Sequence, residues 1–248
     1  MCIEDRLPMT TFILVHGGFH GAWCWRRIVG PLSKGHAVEA VDLPGRGRGD
    51  RPELSAYLDT VAAAVDNAEP PVVLVGHSLG GLIVSQFVEQ RPDAVAGLVL
   101  VNALLVEDGE AALPKMQSIG DDWLFMRPGA LTFAEDGSTF AVAPELVIEG
   151  FYNCCDPRDA EWAAAQLCPE PLDLVTAPLR ISSEGFGSVP KAYLGGRHDR
   201  VMPWWFQQKM SATAEARLFD LGGDHSPFLS VPDELVARLL DIGTNGLP

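Results

Sequence analysis

Three residues far apart in the chain have the types, order and settings that serine-based acyl transfer needs. Ser78 lies in Gly76-His77-Ser78-Leu79-Gly80, a G-x-S-x-G pattern placed between an apolar run, Val72–Val75, and a helical run, Leu82–Gln90. A bare G-x-S-x-G arises readily by chance, so its setting carries the information: strand, glycine-flanked serine, helix is what a nucleophile elbow requires. The turn lifts the hydroxyl clear of the sheet, and Gly76 and Gly80 fall where side chains would collide as strand and helix pack. A serine hydroxyl is a weak nucleophile until a base takes its proton and an acid orients that base. His225, in the glycine-rich loop Gly222-Gly223-Asp224-His225-Ser226-Pro227, follows the last expected strand, and Asp199 follows the run Lys191–Leu194. Ser, then Asp, then His, each after a strand, is the order this chemistry needs on such a sheet.

The competing residues fit less well. His77 is locked beside the serine and points elsewhere, and His16 precedes the first loop and braces it. His198 is adjacent to the proposed acid, while His20 and His36 have no partner in view. Asp224 neighbours His225, but adjacent side chains diverge. Some hydrolases carry the acid after the strand that follows the elbow helix; that position is Asn102, which cannot hold the charge. An oxyanion hole needs two backbone N–H groups. Leu79 follows the nucleophile and supplies one, and the glycine-rich loop His16–Phe19 supplies the other, with Gly18 the candidate. An imidazole base fails once protonated, so activity is expected to fall at acid pH.

The elements that must hold these groups are legible around them. Thr11–Val15, Ala37–Leu43, Val72–Val75, Ala96–Val101, Lys191–Leu194 and Ala216–Leu221 read as strands, the wholly apolar ones buried on both faces. Helices are expected at Trp23–Leu32, Ser55–Asn67, Leu82–Gln90, Trp204–Ala212 and Pro232–Ile242. The alternation predicts an α/β fold: one domain, a mostly parallel sheet with helices on both faces. Its core covers about 9–102 and 190–248. Between them, 103–189 loses the alternation and, with one clear helix at Pro157–Gln166, reads as an irregular cap inserted over the site. Trp123, Leu124, Phe125, Met126, Phe133, Phe140, Phe151, Tyr152 and Trp162 are expected to line or support its apolar face. Phe19, His20, Trp123, Phe125 and Phe151 are the candidate substrate contacts. The loop Pro44–Pro52 reads as irregular, its three arginines as solvated charges near Asp50 and Glu53.

Composition narrows the partners. The chain has 248 residues, 47 % apolar and 21 % charged, enough for a full core. A formal net charge of −15 argues against nucleic acid and anionic membrane surfaces. No apolar run reaches the length of a membrane span and no secretion signal opens the sequence, so the cytoplasm is the expected location. Met1–Pro8 reads as a loosely held arm before Met9, an alternative start. Five cysteines without a secretion signal suggest reduced thiols, and no Cys/His zinc spacing accompanies Cys154-Cys155. The reading therefore needs no metal or cofactor. It implies a small-molecule partner and, as the one macromolecular partner left open, a second copy forming a homodimer.

The whole pattern resembles the α/β-hydrolase superfamily, and within it the branch of plant methylesterases, hydroxynitrile lyases and their bacterial esterase relatives. The markers are L-V-H-G-G-F-H-G-A-W-C-W at 14–25, V-D-L-P-G at 41–45, V-G-H-S-L-G-G at 75–81, H-D-R-V-M-P-W-W-F-Q at 198–207 and G-G-D-H at 222–225. The resemblance implies a Ser78–His225–Asp199 triad and an oxyanion hole from Gly18 and Leu79. Cyanohydrin-cleaving relatives carry threonine after the first-loop histidine and lysine after the catalytic histidine, where this chain has Gly17 and Ser226. Relatives with an aspartate nucleophile are excluded by Ser78. The expected activity is cofactor-independent hydrolysis of a small, largely apolar carboxylic ester through an acyl-enzyme. The rival expectations are a carbon–carbon hydrolase, lyase or cyclase using the same triad, and a ligand-binding protein on a hydrolase scaffold.

Overall fold

A computed structural model describes residues 9–45 and 52–247. The sequence expectations for the N-terminal arm, Cys2 and the arginine loop at 46–51 lie outside the described residues. The elements in chain order are β1 (Thr11–Val15), α1 (Arg26–Leu32), β2 (Ala37–Val41), α2 (Leu54–Asp66), β3 (Val72–His77), α3 (Gly80–Gln90) and β4 (Gly97–Val101). An inserted segment contributes α4 (Ala112–Gln117), β5 (Leu131–Phe133), β6 (Thr139–Val142), α5 (Pro144–Phe151), α6 (Pro157–Ala164), β7 (Glu170–Pro171) and α7 (Asp173–Thr176). The chain ends with β8 (Lys191–Gly195), α8 (Trp204–Thr213), β9 (Arg217–Asp220), α9 (Pro227–Ser230) and α10 (Pro232–Asn245).

Six strands form one sheet in the order β2-β1-β3-β4-β8-β9, and every pairing in it is parallel. Burial follows position in the sheet. Every residue of β1, β3, β4 and β8 is buried, whereas the edge strands β2 and β9 expose Glu39, Arg217 and Asp220. Charged edges deter pairing with a further strand. Helix α1 packs on α10, and α2 packs on α3. Right-handed crossovers put these two groups on opposite faces, because the chain moves one way from β1 to β2 and the other way from β2 to β3. The reversal makes the β1/β3 junction a switch point, where open α/β sheets form a crevice at the strands' carboxyl ends.

Two sequence expectations are corrected. The helix expected over Trp23–Leu32 is a 3₁₀ turn, Ala22–Trp25, leading into the shorter α1. The inserted segment is not irregular with a single helix. It holds a three-stranded antiparallel sheet, order β5-β6-β7, and the helices α4, α5 and α7 besides α6. Its strands are two to four residues long, too short to show a period. Among the described residues, no helix is long and apolar enough to cross a membrane.

Candidate active site

The elbow sits where β3 ends and α3 begins. Ser78 adopts φ = 49°, a left-handed conformation that costs a non-glycine residue on the order of 1–3 kcal/mol. Its N–H donates to the Val101 carbonyl of β4 (3.2 Å), and its carbonyl accepts from Gly81 and Leu104 (2.9 and 3.0 Å), so the strain is held from three sides. Close packing requires the flanking glycines: a Cβ at Gly80 would lie 2.5 Å from the His16 carbonyl oxygen, and one at Gly76 would lie 2.6 Å from Val84 Cγ2.

Around the serine, the fold brings together the residues that the sequence singled out. His225, in the loop between β9 and α9, places Nε2 3.0 Å from Ser78 Oγ. Its Nδ1 is 2.7 Å from Asp199 Oδ2, contributed by the loop after β8. Both side chains are buried. A carboxylate only accepts, so Nδ1 carries the proton and Nε2 is left to accept from the serine hydroxyl. Asp199 Oδ1 is itself fixed by the N–H groups of Val201 and Met202 at 2.7 and 2.8 Å. The arrangement can move a proton from Ser78 to His225 while Asp199 holds the imidazole.

Several further residues hold this geometry, and sequence reasoning either passed over them or gave them another part. Asn102, considered above only as a position for the acid, donates from Nδ2 to the Asp224 carbonyl (2.7 Å) and accepts at Oδ1 from the Gly196 N–H (2.7 Å). It thereby ties the loop of His225 to the loop of Asp199. His77 donates from Nε2 to the carbonyl of His225 (2.8 Å). Complete burial, reinforced by the neighbouring histidines, pushes its pKa well below the usual histidine value, so the ring is neutral. Gln207 on α8 donates to the carbonyls of Gly196 and Met202 and spans the Asp199 loop. Asp224 accepts from the N–H groups of Ser226 (3.0 Å) and Cys154 (2.7 Å), and burial pushes its carboxyl pKa up. The Cys155 thiol beside it is pushed up too, mainly by burial, which makes it a poor nucleophile.

The first loop is braced from below and above. His16 accepts from the Leu43 N–H at Nε2 (3.1 Å) and donates to the Gly17 carbonyl (2.9 Å), the bracing role its sequence position suggested. His20, expected at the substrate, does not line the cavity. Its Nδ1 donates to the Gly18 carbonyl (2.8 Å) and its Nε2 accepts from the Tyr152 hydroxyl (2.9 Å), which turns the ring into a support for the loop. From above, the buried carboxylate of Glu170 accepts the Phe19 N–H at 2.7 Å, and Cys168 N–H donates to the Phe19 carbonyl at 3.0 Å.

Ser78, Gly18 and Leu79 open onto one small cavity of about 30 Å³. Its walls are almost wholly apolar: Phe19, Trp123, Phe125, Phe140 and Phe151, joined by Met116, Leu113, Leu131 and Val201. Met126 and Phe133, also expected on the apolar face, are about half exposed, and Trp162 packs edge-on against Trp23. Leu79 occupies the N-cap position of α3, where a helix leaves its N–H groups without intrahelical partners. Among the described residues, no group of three or more His, Cys, Asp or Glu side chains is disposed to hold a metal ion.

A parallel six-stranded sheet carrying a serine elbow and a Ser–His–Asp constellation on the loops of β3, β8 and β9 defines a class, and the chain's sequence places it there: residues 12–239 match the model of the alpha/beta hydrolase family, to which this protein belongs. Within that family it is 29 % identical, over 93 % of its length, to "Putative methylesterase 13, chloroplastic" of Arabidopsis thaliana, and spans 55 % of that longer protein. It is also 29 % identical to "Methylesterase 7" of the same plant, covering 96 % of this chain and 98 % of that one. The crystal structure of polyneuridine aldehyde esterase superposes with a TM-score of 0.81 at 28 % identity, covering 95 % of this chain and 99 % of the other.

Proposed function

We propose that this protein is a serine esterase that hydrolyses a small, largely apolar carboxylic ester without a cofactor. The observation that carries the reading is the unbroken relay Ser78 Oγ–His225 Nε2, Nδ1–Asp199 Oδ2, at 3.0 and 2.7 Å, opening onto an apolar cavity. The similarity to methylesterases and to polyneuridine aldehyde esterase supports the same reaction class.

In this scheme Ser78 Oγ attacks the ester carbonyl as its proton passes to His225 Nε2, and Asp199 steadies the imidazolium. The N–H groups of Gly18 and Leu79 receive the developing oxyanion; losing one such donor costs on the order of 3 kcal/mol of barrier. Collapse expels the alcohol, which takes the proton back from His225. Water activated by the same imidazole then releases the acid and restores Ser78. The inserted segment acts as the cap, its aromatic wall excluding water and selecting an apolar group.

The test is hydrolysis of p-nitrophenyl acetate by the wild type and Ser78→Ala, purified in parallel. Turnover that disappears in the variant is the expected result. Turnover that survives refutes the nucleophile. Silence in both folded proteins refutes the ester reading and favours a lyase or a binder.

A further inference from the structure

The cavity against Ser78 is small. By the volume one water needs, about 30 Å³ holds roughly two or three water-sized groups. That suffices for a short acyl group and leaves no room for a chain. Phe19 also borders a second pocket of about 230 Å³, which it lines together with Val142 and Val147 of the cap, Ala164 of α6, Leu167 and Cys168. Phe19 belongs to the lining of both spaces.

Phe19 is an unusual wall. It adopts φ = 65°, a conformation that a bulky residue rarely takes. Its backbone is fixed by Glu170 and Cys168, both in the cap segment that also borders the outer pocket. The ring lies edge-on to Phe140 at 5.2 Å and tilted against Phe151 at 5.8 Å, both of which line the inner cavity. One aromatic residue, held in a strained conformation, therefore borders both the cavity of the reacting serine and a space several times larger.

We propose that the outer pocket is a subsite for the unbranched alkyl chain of the substrate ester and that Phe19 is the partition that sets how much chain is accepted. The inference rests on the ester-hydrolase reading. The occupant follows from the lining: apart from the Cys168 thiol the side chains are apolar and carry no charge to meet a carboxylate or an amine, which suits an alkyl chain. Each methylene taken out of water is worth roughly fourfold in binding, so seating or evicting two or three of them is readily measured.

The experiment compares kcat/KM for p-nitrophenyl octanoate with that for p-nitrophenyl acetate, and for octyl acetate with that for ethyl acetate, as ratios within each preparation. Partial loss of folded protein cancels in such ratios. Ala164→Phe, which fills the outer pocket from a half-buried position on α6, is expected to lower the long-to-short ratio at least tenfold. Phe19→Ala, which joins the two spaces, is expected to raise it at least tenfold, and adding Ala164→Phe is expected to cancel that gain. A response in the octanoate pair alone assigns the pocket to the acyl chain, and a response in the octyl pair alone to the alcohol. Ratios that stay within twofold in all variants, with acetate still hydrolysed, overturn the subsite and leave the esterase standing. If the wild type hydrolyses no ester, the esterase reading falls, and calorimetric binding of 1-octanol decides the subsite. Binding lost in Ala164→Phe sustains it; equal binding in both proteins, or none in the wild type, removes it.

Discussion

Replacing Asn102 with alanine should damage stability and catalysis together, by amounts that follow from its two hydrogen bonds. The side chain is fully buried and reaches the Asp224 carbonyl and the Gly196 N–H, each at 2.7 Å. Truncation leaves one acceptor and one donor without their partner. A buried polar group left unsatisfied costs about 1–3 kcal/mol, so the pair costs about 2–6 kcal/mol. Asn102 also sits at φ = 41°, where an alanine side chain adds about 1 kcal/mol that asparagine tolerates better. Because the two bonds fix the loops that carry His225 and Asp199, the loss should also loosen the relay. A misplacement of about 1 Å in such a constellation costs on the order of 10²-fold in rate. Urea unfolding followed by tryptophan fluorescence gives the first quantity, and kcat on p-nitrophenyl acetate gives the second. Asn102→Asp separates the two bonds, since it keeps an acceptor for Gly196 and sets a second acceptor against the Asp224 carbonyl. Burying that charge against a carbonyl should make it at least as destabilising as alanine. A loss below about 1 kcal/mol in Asn102→Ala, with kcat within twofold of wild type, would refute the reasoning.

Two other perturbations have definite expected outcomes. Glu170→Ala removes the acceptor that holds the Phe19 N–H, a bond to a charged group worth about 1.5–3 kcal/mol; kcat for p-nitrophenyl acetate should fall roughly tenfold or more with little change in KM, and Glu170→Gln, whose amide oxygen still accepts, should recover most of it. His77 is held neutral in the fold, its pKa driven well below the ordinary value mainly by burial. The unfolded chain therefore binds more protons than the native state once pH drops below about 6.5, and this stabilising contribution, present above that pH, is lost as pH falls. Melting temperatures between pH 7.5 and 5 should decline more steeply for wild type than for His77→Gln, which can still donate to the His225 carbonyl; parallel slopes would contradict the assignment.

The core strands were legible because they are buried on both faces and read as unbroken apolar runs, each ending at a glycine or a chemistry-bearing loop. Ser78 and Asp199 could be placed for the same reason, each just past such a run, whereas His225 follows the edge strand β9, with Arg217 and Asp220 exposed, and is placed by its order in the chain and its glycine-rich loop. What brings them within hydrogen-bond distance was less legible. Asn102 announces itself only as a residue that is not an acid, and its task depends on Gly196 and Asp224, about a hundred residues downstream. Glu170 lies between Pro169 and Pro171, which reads as loop, and its partner Phe19 is 151 positions away. His20 looked like a substrate contact because the loop it ends faces the site; the deciding contact, Tyr152, comes from the inserted segment. One signal could have been read locally: Pro144 followed by Glu145 is an acceptable helix start, and α5 begins there.

The clamp on Phe19 carries a consequence for how this architecture can change. The segment that roofs the site and the loop proposed to receive the oxyanion are joined by two hydrogen bonds, through Cys168 and Glu170. Moving the 168–170 stretch away from the loop would break both of these bonds. A roof transplanted from a relative would bring its own selectivity and would also retune the rate constant of the step beneath it. Along this chain, substrate choice and catalytic power are not free to evolve one at a time.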